Sequence, residues 1–170
     1  MKNLILMFIS LLLVSTKTLA VDQSAPSTAL NQRTQQSVPY NVEQTVQTFT
    51  KTVHGGVQHV VVKIAEQNDA QIKLIQAHLL KTVEQFQKGD FSITERIHGK
   101  EMPGLAALKQ AKTDDIKYEY KALSNGGQIH FSSEYPQYVQ ALHEWFTAQS
   151  QEHGGNTTFE HSQHHATTQE

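Results

Sequence analysis

The sequence of 170 residues predicts an α+β fold, an antiparallel sheet built from two hairpins with two helices packed on one face. Three observations carry this expectation. Two segments rich in β-branched and aromatic residues each contain a glycine turn, at His54-Gly55-Gly56 and at Asn125-Gly126. Each hairpin is followed by a segment with apolar residues at helical spacing. The resulting order, strand-strand-helix-strand-strand-helix, buries every apolar stripe when the helices lie on one face of the sheet.

The first twenty residues read as a secretory signal. Lys2 gives a positive start, Leu4 to Val14 is an almost unbroken apolar run, and Thr18-Leu19-Ala20 places small residues before a cut near Ala20. The run is shorter than the roughly 20 residues that cross a bilayer, and no later stretch competes with it, so no membrane span is expected in the mature chain. With no cysteine in the chain there is neither a lipid-attachment site nor a disulfide, and the expected product is a periplasmic protein stabilised by packing. Loss of Lys2 and Lys17 leaves 12 of the 14 basic residues against 16 acidic ones, a formal charge of -4 with histidines neutral. No basic patch with interleaved aromatics occurs, which argues against a nucleic-acid partner.

Residues 21–43 are rich in Gln, Ser and Thr and lack periodic apolar positions, and are expected as a flexible leader. The folded domain is expected over 44–153. In "VQTFTKTVHGGVQHVVVKI", residues 46–64, the density of Val and Thr around a Gly-Gly turn predicts a hairpin. Val42, Val46, Phe49 and Val53 also fit a helical spacing, so a helix competes for the first arm. Asn68-Asp69 offers an N-cap to a helix marked by Ile72, Ile75, Leu79, Val83 and Phe86 and stopped by Gly89. "DFSITERIHGKEMPG", residues 90–104, reads as a long loop with room for a turn of helix, and Pro103 opens a short helix through Leu108.

Ile116, Tyr118, Tyr120 and Ala122 alternate with Lys117, Glu119 and Lys121, the period of a half-buried strand. Asn125-Gly126 turns the chain, and Ile129 and Phe131 mark the returning strand. The last helix spans about Pro136 to Gln151, with Val139, Leu142, Trp145, Phe146 and Gln149 towards one side. Residues 154–170 are expected as a disordered tail carrying His161, His164 and His165. The recurrence of a glycine hairpin and a helix is a duplication of topology, since the halves do not align residue by residue.

Ten histidines are the most unusual feature of the composition, and neutral imidazole is the commonest protein metal ligand. His59 and His130 fall out of phase with Val60, Val62, Ile129 and Phe131 and are expected to face solvent. His78 and His143 flank the apolar stripes of the two helices, where they would line a groove between them. The loop between the helix and the second hairpin would supply the third wall, with Asp90, His98 and Met102. Imidazole with thioether suits reduced copper, whereas imidazole and carboxylate suit zinc or another divalent ion. Haem ranks below copper, because no C-x-x-C-H is present. The motifs of serine hydrolases, zinc peptidases, phosphate-binding loops and dinucleotide folds are absent, and no reaction is indicated.

"IKLIQAHL", "FQKGDFS", "IHGKEMPGLAAL" and "ALHEWFTAQSQEHG" together resemble a family of small exported proteins of Gram-negative bacteria, over roughly residues 48–154. Its marks are I-H-G-x-x-M-P-G-L and H-x-W-F-x-x-Q-x-x-x-H-G. Members often carry the name aspartate carbamoyltransferase. That enzyme resembles a pair of doubly wound α/β domains with a Ser-Thr-Arg-Thr phosphate-binding turn, which this chain lacks, so the name serves as a label only. The resemblance carries over His78, Asp90, His98, Met102, His143, Gln149 and His153 as the polar motif residues. His153 lies about 15 Å along the last helix from His143, which separates those two as ligands of one ion.

The leading expectation is a periplasmic transition-metal-binding protein, copper favoured, for sequestration or delivery, with His98, Met102, His143 and His78 as ligands. The alternative is a non-enzymatic envelope interaction module in which Trp145, Phe146 and the His-Gly loop dock a protein partner and the histidines are structural. A small hydrolase ranks lower.

Overall fold

The computed structural model describes residues 28–65, 68–153 and 158–159. The expected signal peptide and all of the expected tail except 158–159 lie outside the described residues. The fold is α+β, as the patterning predicts. Its elements are α1 (Thr28–Ser37), a 3-10 turn (Val42–Gln44), β1 (Thr45–Thr52), β2 (Gly55–Val62), α2 (Asp69–Phe86), α3 (Ser92–His98), α4 (Leu105–Leu108), β3 (Lys117–Leu123), β4 (Gly126–Ser132), α5 (Pro136–Glu152) and β5 (Thr158–Phe159). The strands are ordered β3-β4-β2-β1-β5, with the first four antiparallel and β5 parallel to β1.

The competition over the first arm resolves as a strand. Thr45 to Thr52 pairs residue for residue with Val62 to Gly55, and only Phe49 of β1 is fully buried. The central pairing joins β2 to β4, with Gly55 opposite Ser132 and Val61 opposite Gly126. Both central strands begin G-G-x-x-H, at Gly55-Gly56…His59 and Gly126-Gly127…His130. The duplication, legible as topology, thus extends to residues in this pair of strands, which pass each other with their glycine pairs at opposite ends.

Each helix covers the other half's hairpin. α2 lies over β4 and β3, and α5 over β1 and β2. A Cβ on Gly56 would stand 2.5 Å from the Phe146 ring, so the missing side chain is what lets α5 settle on β2. Between these layers Phe131 touches Trp145 (5.4 Å between ring centroids) and Phe146 (5.2 Å), while Phe86 stacks on Phe91 at 4.6 Å. Ile75, Leu79, Ile129 and Leu142 close the core around them. The opposite face of the sheet carries Lys117, Glu119, Lys121, His59 and His130; His130 meets Glu119 across the strands at 3.3 Å, in line with its expected outward direction.

Three local expectations need correction. Residues 28–37, assigned to a flexible leader, form α1. Its sequence TALNQRTQQS has no apolar stripe, and the helix is held instead by side-chain bonds: Arg33 Nε donates to the Ile97 carbonyl (2.7 Å), and Gln35 bridges the Tyr40 carbonyl and the Val42 amide. Only Leu30 and Thr34 are buried. The 90–104 loop contains α3, two turns long, with Ile97 buried. Asn68 takes the N-cap position of α2 as expected, its carbonyl accepting the Ile72 amide, but its side chain makes no capping bond and donates Nδ2 to the Ile64 carbonyl instead. Arg33→Ala is expected to speed amide exchange across Thr28–Ser37 roughly tenfold, the loss of about one hydrogen bond, while Ile75 and Phe131 keep their global protection. Equal loss of protection everywhere would refute the separate attachment of α1.

Candidate site: a histidine-lined chamber under the first helix

α1 and Tyr40 roof a small internal space whose floor is the helix-facing side of β1 and β2. Gln47 and Gln58 rise from those strands, His78 and Thr82 come from α2, His98 ends α3, and Trp145, Gln149 and His153 come from α5. Spacing explains the last three, because positions four apart share one helix face. The chamber has a volume of about 50 Å³, enough for an ion with a few waters. Thr34, Tyr40, Gln47 and His153 also line an outer cleft of about 760 Å³ between α1 and β1, so these four residues separate the chamber from that cleft.

His98 is the best-held group. Its side chain is 2% exposed, and its Nδ1 lies 2.6 Å from Glu152 Oε2. Burial lowers its pKa, the Glu152 carboxylate works against that, and Arg33 adds to the lowering. The neutral ring therefore donates Nδ1–H to Glu152, which assigns the lone pair to Nε2. A carboxylate on the far nitrogen is the usual support of a metal-binding histidine. His153, at the C-terminal cap of α5, stacks on Phe49 and meets the His98 ring edge to face, centroids 5.1 Å apart at 82°. Burial and the neighbouring His98 push its pKa down to about 4. His78 packs against Tyr40 at 5.6 Å and is likewise pushed down to about 4, by burial and then Lys81. Three neutral imidazoles thus face one space. Trp145 Nε1 and Gln149 Oε1, whose side chains line it too, are buried without a hydrogen-bond partner among the described residues.

The structure divides the expected ligand set. His98 and His78 line the chamber. Met102 does not: it is 5% exposed within the apolar core. His143 does not either, since its Nε2 bonds the Thr52 carbonyl (2.8 Å) and its side chain lines a groove of about 530 Å³ with Val53, His54 and Val139. Asp90 lies just before α3, accepting the Ser92 amide at Oδ1 and Gln85 Nε2 at Oδ2, and the Ser92 side chain, then the Ser92 amide, and to a lesser extent Gln85 hold its carboxyl below the usual range. His153, separated from the set by its distance to His143, is the nearest imidazole partner of His98. Glu152, Tyr40 and Gln47 were not foreseen. Among the described residues no group of three or more His, Asp and Glu is arranged to hold a metal ion. The chain matches no protein-family model, no curated protein and no solved structure.

Proposed function

We propose that the protein binds a late transition-metal ion in this chamber through His98 and His153, for sequestration or delivery outside the cytoplasm. The observation that carries the reading is the His98–His153 pair with Glu152 behind it. Two imidazoles holding one ion at about 2.0–2.1 Å with a tetrahedral angle have centroids roughly 5 Å apart, which matches this pair. Their lowered pKa values favour the neutral form that a metal requires, so protons compete weakly at pH 7. The partnerless Gln149 Oε1 and water would complete the coordination, and His78 stands across the chamber.

The donor set changes the preferred ion. With the Met102 thioether in the core, the reason for favouring reduced copper goes. Imidazole nitrogen suits cupric copper, nickel and zinc, and copper heads the affinity order. The apolar run at Leu4–Val14 and the small residues before Val21 support export.

Titration of the chelator-treated protein with cupric and zinc ions tests this. One equivalent of copper is expected to bind with micromolar or tighter affinity, with imidazole nitrogen visible in its electron paramagnetic resonance spectrum. His98→Ala and His153→Ala should each weaken binding at least a hundredfold, whereas Met102→Leu and His143→Ala leave it unchanged. Binding that survives both chamber substitutions and depends on the tail histidines would refute the site.

A further inference from the structure

At the far edge of the sheet from the chamber, β3 has a neighbour on one side only among the described residues. Its exposed edge borders a cleft of about 830 Å³ between the end of α2 and the 108–119 segment. Four lysines line that cleft, Lys88, Lys109, Lys112 and Lys117, against Asp114 and Glu119, and Lys109 is already ion-paired with Glu95, which leaves Lys88, Lys112 and Lys117 to set its charge. Lys121 follows on the same strand face as Lys117. The local balance is positive in a chain whose formal charge is -2.

The backbone of this edge is arranged to pair. Gln87 Nε2 reaches the Tyr118 carbonyl from outside the sheet, at 3.4 Å. In an antiparallel ladder the outward-facing residues alternate, so Tyr118, Tyr120 and Ala122 all turn their N–H and C=O groups away from β4. The Gln87 amide occupies the place that the N–H of an added strand would take. Tyr120 lies half-buried on the helix side of β3, and Lys117 and Lys121 project from the other side. The rim is pinned by Asp115, whose Oδ2 accepts the Lys112 amide and whose carbonyl accepts Ser133 Oγ.

We propose that the β3 edge binds an acidic, extended peptide segment of a partner protein by strand addition. Main-chain bonds to Tyr120, Ala122 and the Tyr118 N–H would supply affinity, with a peptide N–H displacing Gln87 Nε2 from the Tyr118 carbonyl; apolar side chains of the peptide would lie on Tyr120, and acidic ones would meet Lys117 and Lys121, on either side of Glu119. Charge complementarity selects this occupant. A second copy of the chain would oppose lysines to lysines along the edge, the usual device against self-pairing. The strand is seven residues long, roughly 23 Å, enough to register a peptide of six.

The probe is the capped hexapeptide Glu-Val-Glu-Val-Glu-Val, titrated into the isotopically labelled full chain at low salt. Saturable binding is expected, with the largest amide shifts at Tyr118, Tyr120 and Ala122. The Gln-Val analogue should bind at least tenfold more weakly, and so should an acidic peptide with proline at its two central positions. Lys117→Glu combined with Lys121→Glu, both exposed positions, should weaken binding at least tenfold without changing the circular dichroism spectrum. No binding at millimolar peptide, equal binding of the proline peptide, or indifference to the charge reversal would each overturn the proposal. So would self-association of the chain through the same amides.

Discussion

Alanine at position 104 is expected to cost about 2–4 kcal/mol of folding stability, whereas alanine at position 99 in the same motif costs about 1 kcal/mol. Both glycines have positive φ, +78° with ψ -26° at Gly104, which is left-handed, and +93° with ψ 169° at Gly99, an extended region essentially reserved for glycine, so both substitutions bear a conformational cost. Only Gly104 also meets an obstacle. A Cβ there would lie 2.1 Å from the Ala141 carbonyl oxygen and 3.0 Å from the Trp145 amide nitrogen, both backbone atoms of α5, while a Cβ on Gly99 meets nothing within 4 Å. Relief requires α5 to move off the loop, and Trp145, Gln149 and His153 move with it. Gly104→Ala should therefore also weaken copper binding, and Gly99→Ala should leave it within a few fold. Urea unfolding of both variants decides the matter: equal losses would show that backbone conformation alone, with no close approach, explains the motif. On this reading most of I-H-G-x-x-M-P-G-L is a folding device. Ile97, Met102 and Leu105 are core residues, Gly104 is a contact point, and His98 alone of the motif's polar side chains lines the chamber.

The parts of the fold legible in the sequence are those whose burial is periodic. β3 alternates Tyr118 and Tyr120 with lysine and glutamate, and α2 repeats Ile72, Ile75, Leu79, Val83 and Phe86, because each element buries one face against the same core. α1 gives no such signal, since Arg33 and Gln35 hold it through polar bonds that only the tertiary fold reveals. α3 buries Thr94 and Ile97, too few positions to separate a short helix from a loop. The site was legible by halves for a related reason. His78 could be placed because it flanks a strong helical pattern, and His98 because the segment that carries it leaves that helix at Gly89 and must cross the molecule before the second hairpin. His143 was expected between the helices, but α5 turns that flank towards the first hairpin, where Thr52 meets it. His153 was measured against His143 alone, and its true neighbour comes from α3, distant in sequence. The pattern Trp145, Gln149, His153, four apart on one face of α5, was the signal available for the chamber.

Stability of the metal-free protein is expected to fall steeply as the pH drops from about 6.5 towards 4. His78 and His153 are both lowered from 6.5 to about 4 in the folded state, first by burial and then by Lys81 and His98 respectively. A base with a depressed pKa is neutral in the native protein while the unfolded chain has already taken up its proton. The stabilisation is therefore complete above the unfolded value of 6.5 and is lost as the pH falls through that window. Each pKa unit is worth about 1.4 kcal/mol, so each histidine contributes up to about 3 kcal/mol, a ceiling lowered by the solvent contact both rings keep. Against a typical total of about 5–15 kcal/mol, the loss of both is enough to unfold a marginal domain. Glu152 offsets part of this at His98 by favouring its protonated form, and Asp90 adds its own acid lability only below its usual carboxylate range. Urea midpoints measured with chelator present should thus drop between pH 6.5 and 4.5, and His78→Gln should flatten that slope by about half. Copper, which keeps His98 and His153 free of protons, should raise the midpoint wherever it binds but leave the slope across this window at least as steep. A pH-independent midpoint across this window would mean that neither imidazole is held neutral by burial, and the chamber would lose the property that suits it to a metal.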